Sequence, residues 1–173
     1  MMTRTISLAN GCRLRQLSER DGAAVQELCE RCGDYFRLHG GEPPSKNAAA
    51  EIFASLPPGK TQKDKFVFGV ETPTGALAGV VDLVRDFPEN GVWMLGLMLL
   101  APGERGNGLG RAAHAELVQW AKALGAKSVR IGVIEENRDG ARFWDSLGYR
   151  RQGETVLELG KTAYRTNILT LQV

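Results

Sequence analysis

The sequence predicts an α+β fold in which helices lie on both faces of a central mixed sheet of about seven strands. Three apolar runs at 66–71, 77–84 and 92–100 are joined by short turns that contain proline and glycine, which is typical of antiparallel neighbours. A helical pattern at 110–124 then leads to an alternating run at 128–134. A strand–helix–strand unit of this length is expected to form a right-handed parallel crossover. The sheet should therefore contain both antiparallel and parallel pairs.

Composition and charge narrow the class of protein. The 173 residues are 43% hydrophobic and 24% charged, which suits one globular domain with a substantial core. The net charge of +2 and the lack of a basic block argue against a nucleic-acid partner. No apolar run reaches the roughly 20 residues that span a bilayer, and the first residues lack a signal-peptide core. Three cysteines form no fully paired framework, so we expect a cytoplasmic, reduced protein without membrane contact.

The N-terminal part predicts a hairpin followed by an amphipathic helix. Asn10-Gly11 lies between two partly apolar runs, which is a strong signal for a β-hairpin. Ser18 or Asp21 can cap the helix that follows. The apolar stripe of this helix is formed by Val25, Leu28, Cys29 and Cys32. That spacing favours buried thiols for the two cysteines, while a redox or zinc C-x-x-C pair is the alternative.

Residues 34–45 show no periodic pattern, and we predict irregular structure for them. The segment contains aromatic residues and His39. It is interpreted either as a plain surface loop or as a loop that faces a substrate, since such loops often carry specificity. A short helix is predicted at 47–56, where Pro57-Pro58 ends it.

The strand at 92–100 is apolar on both faces, so we expect it to be central and covered on both sides. Gly96 within it indicates a β-bulge or a close approach of another backbone or a ligand. Farther along, a helix is predicted at 138–147, with final strands at 149–158 and 163–173.

The segment most informative about function is LLAPGERGNGLGR at 99–111. Its glycines alternate at three positions, and the basic residues Arg105 and Arg111 flank them. The loop lies between an apolar strand and a helix. Glycine allows a backbone to approach an anion closely, and the free N–H groups at a helix start point at it. This arrangement predicts a phosphate-binding loop, with an ordinary glycine-rich turn as the alternative.

Two motifs carry a family resemblance. The first is Arg105-Gly106-Asn107-Gly108-Leu109-Gly110, which has the form Gln/Arg-x-x-Gly-x-Gly/Ala. The second comprises Asn137, the aromatic pair Phe143-Trp144 and the segment Leu147-Gly148-Tyr149. One predicted helix and one predicted strand separate the motifs. In this combination the chain, from about residue 12 onward, resembles the GNAT superfamily of acetyl-CoA-dependent N-acetyltransferases.

The resemblance implies one domain over 1–173, with a twisted sheet that splays between its fourth and fifth strands, at 92–100 and 128–134. Acetyl-CoA would be the co-substrate, with its pantetheine arm in the gap and its pyrophosphate on the N–H groups of 106–111. Asn137 would orient that arm, or cap the following helix, or do both. No metal is implied. The implied coenzyme contacts are Met98, Leu99, Leu100, Arg105, Gly106, Asn107, Gly108, Leu109, Gly110, Arg111, Asn137 and Trp144.

The implied reaction is direct attack of a neutral amine on the thioester carbonyl. An alkyl ammonium has a pKa of about 10.4, so a base must first remove a proton. An N–H of the strand near Met98 would donate to the oxyanion. Trp144 stands where many members carry a tyrosine acid, and its indole N–H is no proton source. Gly132 stands where members that acetylate protein N-termini often carry a glutamate base. The remaining candidates for the base are Asp82, Glu135 and His39.

These departures count against the ribosomal N-terminal acetyltransferases and favour a small-molecule amine as partner. Dimerisation is common among relatives, so a homodimer remains an open expectation. His114, beside the apolar stripe of the helix at 110–124, has either a packing role or a catalytic one. One alternative function is a non-catalytic acyl-CoA-binding or sensor module. A second is an NAD-type oxidoreductase, because Gly108-x-Gly110-x-x-Ala113 fits the dinucleotide pattern, although its first glycine does not follow the strand directly.

Overall fold

A computed structural model, which describes residues 3–173, contains one eight-stranded sheet and five α-helices. The strands are β1 Thr5–Ser7, β2 Arg13–Gln16, β3 Lys65–Glu71, β4 Leu77–Val84, β5 Val92–Leu100, β6 Ser128–Ile134, β7 Arg150–Leu159 and β8 Thr162–Gln172. The helices are α1 Gly22–Arg31, α2 Gly33–Leu38, α3 Ala48–Ala54, α4 Leu109–Ala123 and α5 Arg138–Ser146. No helix in this part of the chain combines the length and apolar character needed to cross a membrane.

The strand order is β1-β2-β3-β4-β5-β6-β8-β7. Every neighbouring pair is antiparallel except β5–β6, which is parallel and is connected through α4. The predicted mixed α+β class is confirmed, and β5 is an interior strand as expected. The sheet has one strand more than predicted, because both arms of the N-terminal hairpin join its edge. The predicted splay therefore falls between the fifth and sixth strands.

The two central strands are joined along only part of their length. β5 and β6 pair at three positions, Val92–Ser128, Trp93–Val129 and Met94–Arg130. Beyond Met94 the rest of β5 has no partner on β6, whereas β6 stays paired with β8 along its whole length. The strands thus diverge toward their carboxyl ends, and this gap is the splay implied by the family resemblance.

A β-bulge interrupts β5 just past the last of these pairs. Asp82 of β4 is opposite Leu97 and Leu83 is opposite Leu95, so Gly96 has no partner in the ladder. The bulge predicted at Gly96 is confirmed. A bulge bends the strand and redirects the side chains on either side of it.

Helices pack on both faces of the sheet, which gives the three layers predicted. Beneath α4 and α5 the core includes Trp93 and Trp120, whose rings meet edge to face at 5.5 Å. The opposite core lies beneath α1 and α3 and includes Cys29 and Cys32, both fully buried. The interpretation of these cysteines as helix-face thiols is confirmed.

The prediction of irregular structure over 34–45 is wrong for its first half. α1 ends at Arg31, its C-cap Cys32 has a non-helical ψ of 31°, and α2 begins at Gly33. α2 is a short helix that ends at Leu38, where the C-cap His39 donates its backbone N–H to the carbonyl of Tyr35. Short helices depend on tertiary contacts rather than on their own propensity, which explains why no periodic pattern revealed it.

Candidate active site

A cavity of about 740 Å³ lies where β5 and β6 diverge. Its walls come from α2, the end of β5, the loop before α4 and the first turns of α5. The predicted coenzyme residues that line it are Met98, Leu99, Leu100, Arg105, Gly106, Gly108, Gly110, Arg111, Asn137 and Trp144. Asn107 and Leu109 belong to the same loop but are not part of the lining. The structure thus places the two sequence motifs on opposite sides of one cavity.

The free edge of β5 faces this cavity. Ala101 donates its N–H to the carbonyl of Ala78, on the β4 side, at 2.8 Å. Because backbone groups alternate in direction along a strand, those of Met98 and Leu100 point the other way, into the gap. The carbonyl of Leu100 accepts a hydrogen bond from Arg105 Nε at 2.9 Å. Both backbone groups of Met98 and the N–H of Leu100 therefore face the gap with no strand opposite.

The glycine loop presents a row of unpaired donors. Gly106 and Gly108 have φ values of 79° and 87°, in the left-handed region that favours glycine, and both border open space. Among residues 3–173, no acceptor pairs with the backbone N–H groups of residues 106, 107, 108, 110 and 111. These groups lie at the start of the fifteen-residue helix α4, where the helix dipole also favours negative charge. The loop has the properties of an anion site.

The third glycine has a different function. A Cβ on Gly110 would lie 3.2 Å from Leu100 Cδ1 and 3.4 Å from Phe143 Cζ. Gly110 therefore allows the first turn of α4 to pack closely between the end of β5 and α5.

Both flanking arginines contact the cavity walls. Arg105 forms a two-point ion pair with Asp34 of α2, at 2.5 and 3.3 Å, and the guanidinium lowers the pKa of that carboxyl. Arg111 Nη2 donates to Ser146 Oγ of α5 at 2.9 Å. Arg105 thus joins α2 to the glycine loop, and Arg111 joins the start of α4 to α5.

The second motif forms the wall on the α5 side. Asn137 Oδ1 accepts a hydrogen bond from the N–H of Gly140 at 2.9 Å and so caps α5. The predicted capping role of Asn137 is confirmed, while its predicted contact with the coenzyme stays a prediction. Trp144 packs against Phe143 and Tyr149, with ring centroids at 4.9 and 5.3 Å.

His114 is buried behind this wall. Its Nε2 is 2.8 Å from the hydroxyl of Tyr149, and burial lowers the pKa of the imidazole to about 4. The ring is neutral at physiological pH and is not part of the cavity lining. These observations favour the packing role over the catalytic one.

The three candidate bases lie on separate elements, and none of them lines the cavity. Glu135, just past β6, has a half-exposed side chain and lies 3.9 Å from Arg165. His39, at the end of α2, has its Nδ1 2.8 Å from the carbonyl of Tyr35 and its ring stacked on that tyrosine. Asp82 is buried in β4 and accepts a hydrogen bond from Lys65 Nζ at 2.7 Å.

Several cavity residues were missed by the sequence reasoning, namely Asp34, Tyr35, Leu38, Asp139, Gly140 and Phe143. The first three belong to α2, and their one signal was the aromatic content of the segment interpreted as possibly facing a substrate. Burial raises the pKa of Tyr35 to about 12, so its hydroxyl is a hydrogen-bond donor rather than a proton source near neutrality.

The fold and the cavity together define a protein class: a splayed mixed sheet whose gap ends at a helix start with unpaired N–H groups. The family model described as the acetyltransferase (GNAT) family matches residues 23–149. The chain therefore belongs to the GNAT family of acetyltransferases, and it is an acyltransferase. A search of curated proteins gives no sequence match.

Solved structures share the fold at low sequence identity. An acetyltransferase from Thermus thermophilus is 19% identical with a TM-score of 0.75, over 96% of this chain and 99% of that one. Spermidine N-acetyltransferase from Vibrio cholerae, solved with CoA and spermine, is 17% identical with a TM-score of 0.72, over 94% and 95%. The RimL ribosomal L7/L12 alpha-N-protein acetyltransferase is 14% identical with a TM-score of 0.80, over 100% and 96%.

Proposed function

We propose that this chain transfers the acetyl group of acetyl-CoA to a primary amine of a small molecule, by direct attack within a ternary complex. The observation that carries the proposal is the combination of a gap beside β5 with a row of unpaired N–H groups at its mouth. An elongated molecule with amides along its length and a diphosphate at one end is complementary to this combination.

The residues present fit acetyl-CoA. The N–H groups of 106–111 are free to bind phosphate oxygens, and the open space at Gly106 and Gly108 lets those oxygens approach. Met98 offers its carbonyl, and Leu100 its N–H, to the amides of the pantetheine arm, as a neighbouring strand would. Asn137 and Trp144 form the facing wall. When bound, the coenzyme would supply an activated thioester, and the Met98 N–H would donate to its carbonyl oxygen.

Several features support a small acceptor. α2 contributes Tyr35 and Leu38 to the cavity wall, so a helix borders the space in which an acceptor would bind. Gly132 stands where relatives that acetylate protein N-termini often carry a glutamate base. Trp144 stands where many members of the family carry a tyrosine acid. The V. cholerae neighbour is named for a polyamine, whereas the RimL neighbour is named for a ribosomal protein. The fold is thus compatible with either acceptor, and these features of the chain favour the smaller one.

The second candidate function is a non-catalytic acyl-CoA-binding module. It is supported by the absence of Asp82, Glu135 and His39 from the cavity lining. Turnover of acetyl-CoA separates the two functions, since a sensor would retain the coenzyme without consuming it.

Gly108→Val tests the anion loop, with Gly75→Val as the matched control. Both glycines have similar φ values, 87° and 85°, and both border open space, so a β-branched side chain strains each backbone by a similar amount. Only Gly108 lies at the cavity. We expect Gly108→Val to lose at least ~100-fold in acetyl-CoA affinity by calorimetry, because the new side chain covers N–H groups worth about 1.5–3 kcal/mol each to a charged acceptor. Gly75→Val should bind like the wild type.

The reaction itself is tested by following release of free thiol from acetyl-CoA with polyamines, aminoglycosides, amino acids and peptides as acceptors. Steady turnover with a small amine supports the proposal. Turnover confined to peptides would replace the small acceptor by a protein N-terminus. Retention of coenzyme without turnover on any acceptor would favour the sensor module.

A further inference from the structure

The closed end of the gap contains a solvent-exposed glycine in an interior strand. Gly96 lies two residues beyond Met94, where the β5–β6 pairing ends, and two residues before Met98, whose backbone faces the gap. It is the unpaired residue of the bulge, and it is exposed although both neighbours along the chain are at least partly buried. A small group can therefore reach the backbone of β5 beside Gly96, next to the stretch assigned to the thioester.

A carboxylate lies beside this opening. Asp82 Oδ2 is 3.4 Å from the position that a Cβ on Gly96 would occupy, so the missing side chain leaves room directly next to the carboxylate. The side chain of Asp82 is only 10% exposed. Its Oδ1 is buried and has no hydrogen-bond partner among residues 3–173. Buried carboxylate oxygens are normally paired, so the unpaired Oδ1 calls for an explanation.

Lys65 forms a buried ion pair with this carboxylate. Its ammonium, 2% exposed, donates to Asp82 Oδ2 and to the carbonyl of Ser55, both at 2.7 Å. The elements packed around Asp82 are β3, β5 and α3. Among residues 3–173, Lys65 of β3 is the charged group from these elements that contacts it. The cation favours the ionised form of Asp82 against the effect of burial, and Oδ1 keeps a free acceptor position.

We propose that Asp82 is the general base that accepts a proton from the acceptor ammonium, which enters beside Gly96. This rests on the proposed acetyl transfer and adds the group that activates its acceptor. The ammonium gives one proton to the Asp82 carboxylate, and the neutral nitrogen attacks the thioester carbonyl. The C–N bond forms and the C–S bond breaks. The nitrogen then loses its second proton, the departing thiolate takes up one proton, and Asp82 releases its own to solvent. The net reaction yields the amide, the free thiol and one proton.

The protein environment suits this role. Burial raises the pKa of Asp82, and its contact with Lys65 opposes that rise. A carboxylate whose pKa lies above the usual range for aspartate is a stronger base than a surface carboxylate. Glu135 and His39 lack this placement, because the first is half exposed beside Arg165 and the second is stacked on Tyr35.

Asp82→Asn tests the proposal, with Glu71→Gln as the matched control. Glu71 is also a buried, ion-paired acid of the sheet, and it is bound to Arg13 and Arg15 at the other end of β3. With the best amine of the acceptor panel, Asp82→Asn should lose at least ~100-fold in kcat, the usual effect of removing a general base. Its acetyl-CoA affinity by calorimetry should stay within about twofold of the wild-type value. Glu71→Gln should keep its turnover.

Lys65→Met provides a readout that a purely structural pair would not change. Removing the cation raises the pKa of Asp82 further, so the acid limb of the kcat–pH profile should move to higher pH. If Asp82→Asn does not fold, Asp82→Asn/Lys65→Met removes the whole buried pair and carries the same expected loss of turnover.

The outcomes are distinguishable. Loss of turnover with retained coenzyme binding, together with the shifted acid limb, supports the role of Asp82. If Asp82→Asn turns over at the wild-type rate, this role is overturned and the proposed function stays intact. A wild-type chain that binds acetyl-CoA but acetylates nothing in the panel overturns both.

Discussion

His114 makes the stability of this protein depend on pH. The imidazole is buried and its pKa is lowered to about 4, because burial disfavours the charged ring and Arg111 adds a smaller repulsion. In the unfolded chain the pKa of histidine returns to about 6.5. Between these two values the unfolded state binds more protons than the folded state, so the free energy of unfolding falls as the pH is lowered through this window.

The size of the effect follows from the two pKa values. At pH 7 the folded histidine is neutral and the unfolded one is about three-quarters deprotonated, whereas at pH 5 the unfolded histidine is almost fully protonated and the folded one is still mostly neutral. The difference amounts to about 2 kcal/mol of lost stability between pH 7 and pH 5. A loss of this size is a large part of the roughly 5–15 kcal/mol that stabilises a typical domain.

The assay is urea unfolding of the wild type and His114→Gln at both pH values. Glutamine does not titrate and can still hydrogen-bond to the hydroxyl of Tyr149, and any cost that is independent of pH cancels in the difference. The variant should lose about 2 kcal/mol less than the wild type on acidification. The carboxylates whose pKa values are lowered, such as Asp21 and Glu71, affect both proteins equally. An equal loss of stability in the two proteins would refute this reasoning.

Two further predictions concern the walls of the cavity. Asp34→Asn removes the charge that neutralises Arg105, so acetyl-CoA affinity should rise by ~2–5-fold, and Arg105→Gln should lower it by a similar factor. Calorimetry at low and high salt checks both affinities. If both variants change the affinity in the same direction, or if the changes do not depend on salt, the electrostatic origin is contradicted. Gly140→Ala places a Cβ 2.5 Å from Asn137 Nδ2 and should displace the cap of α5, at a cost of about 1 kcal/mol in urea unfolding. Unchanged stability would show that Asn137 can cap from another position.

The strands around the site could be predicted from the sequence because their signals are local. The bounds of β4, β5 and β6 agree with the predicted runs, since each is a largely apolar or alternating segment between turn residues. The bulge at Gly96 could also be predicted, because a glycine weakens the interior of a strand and often marks a bulge. The glycine loop was recognisable in the same way, by its position between a strand and a helix.

The rest of the site depends on contacts between distant parts of the chain. Asp34 and Arg105 are far apart in sequence, and their ion pair joins α2 to the loop before α4. Lys65 and Asp82 meet only because β3 and β4 pair in the observed register. Neither pair leaves a periodic pattern or a motif. Asp82 was therefore one of three candidate bases in the sequence, and its burial and its place beside Gly96 are the grounds on which we propose it.

A crystal structure of the protein with acetyl-CoA tests the central claim most directly. We expect the diphosphate oxygens to accept hydrogen bonds from the backbone of 106–111, and the pantetheine arm to lie along β5 with its amides paired to Met98. A coenzyme bound away from the glycine loop, or an arm that lies outside the gap between β5 and β6, would contradict this claim.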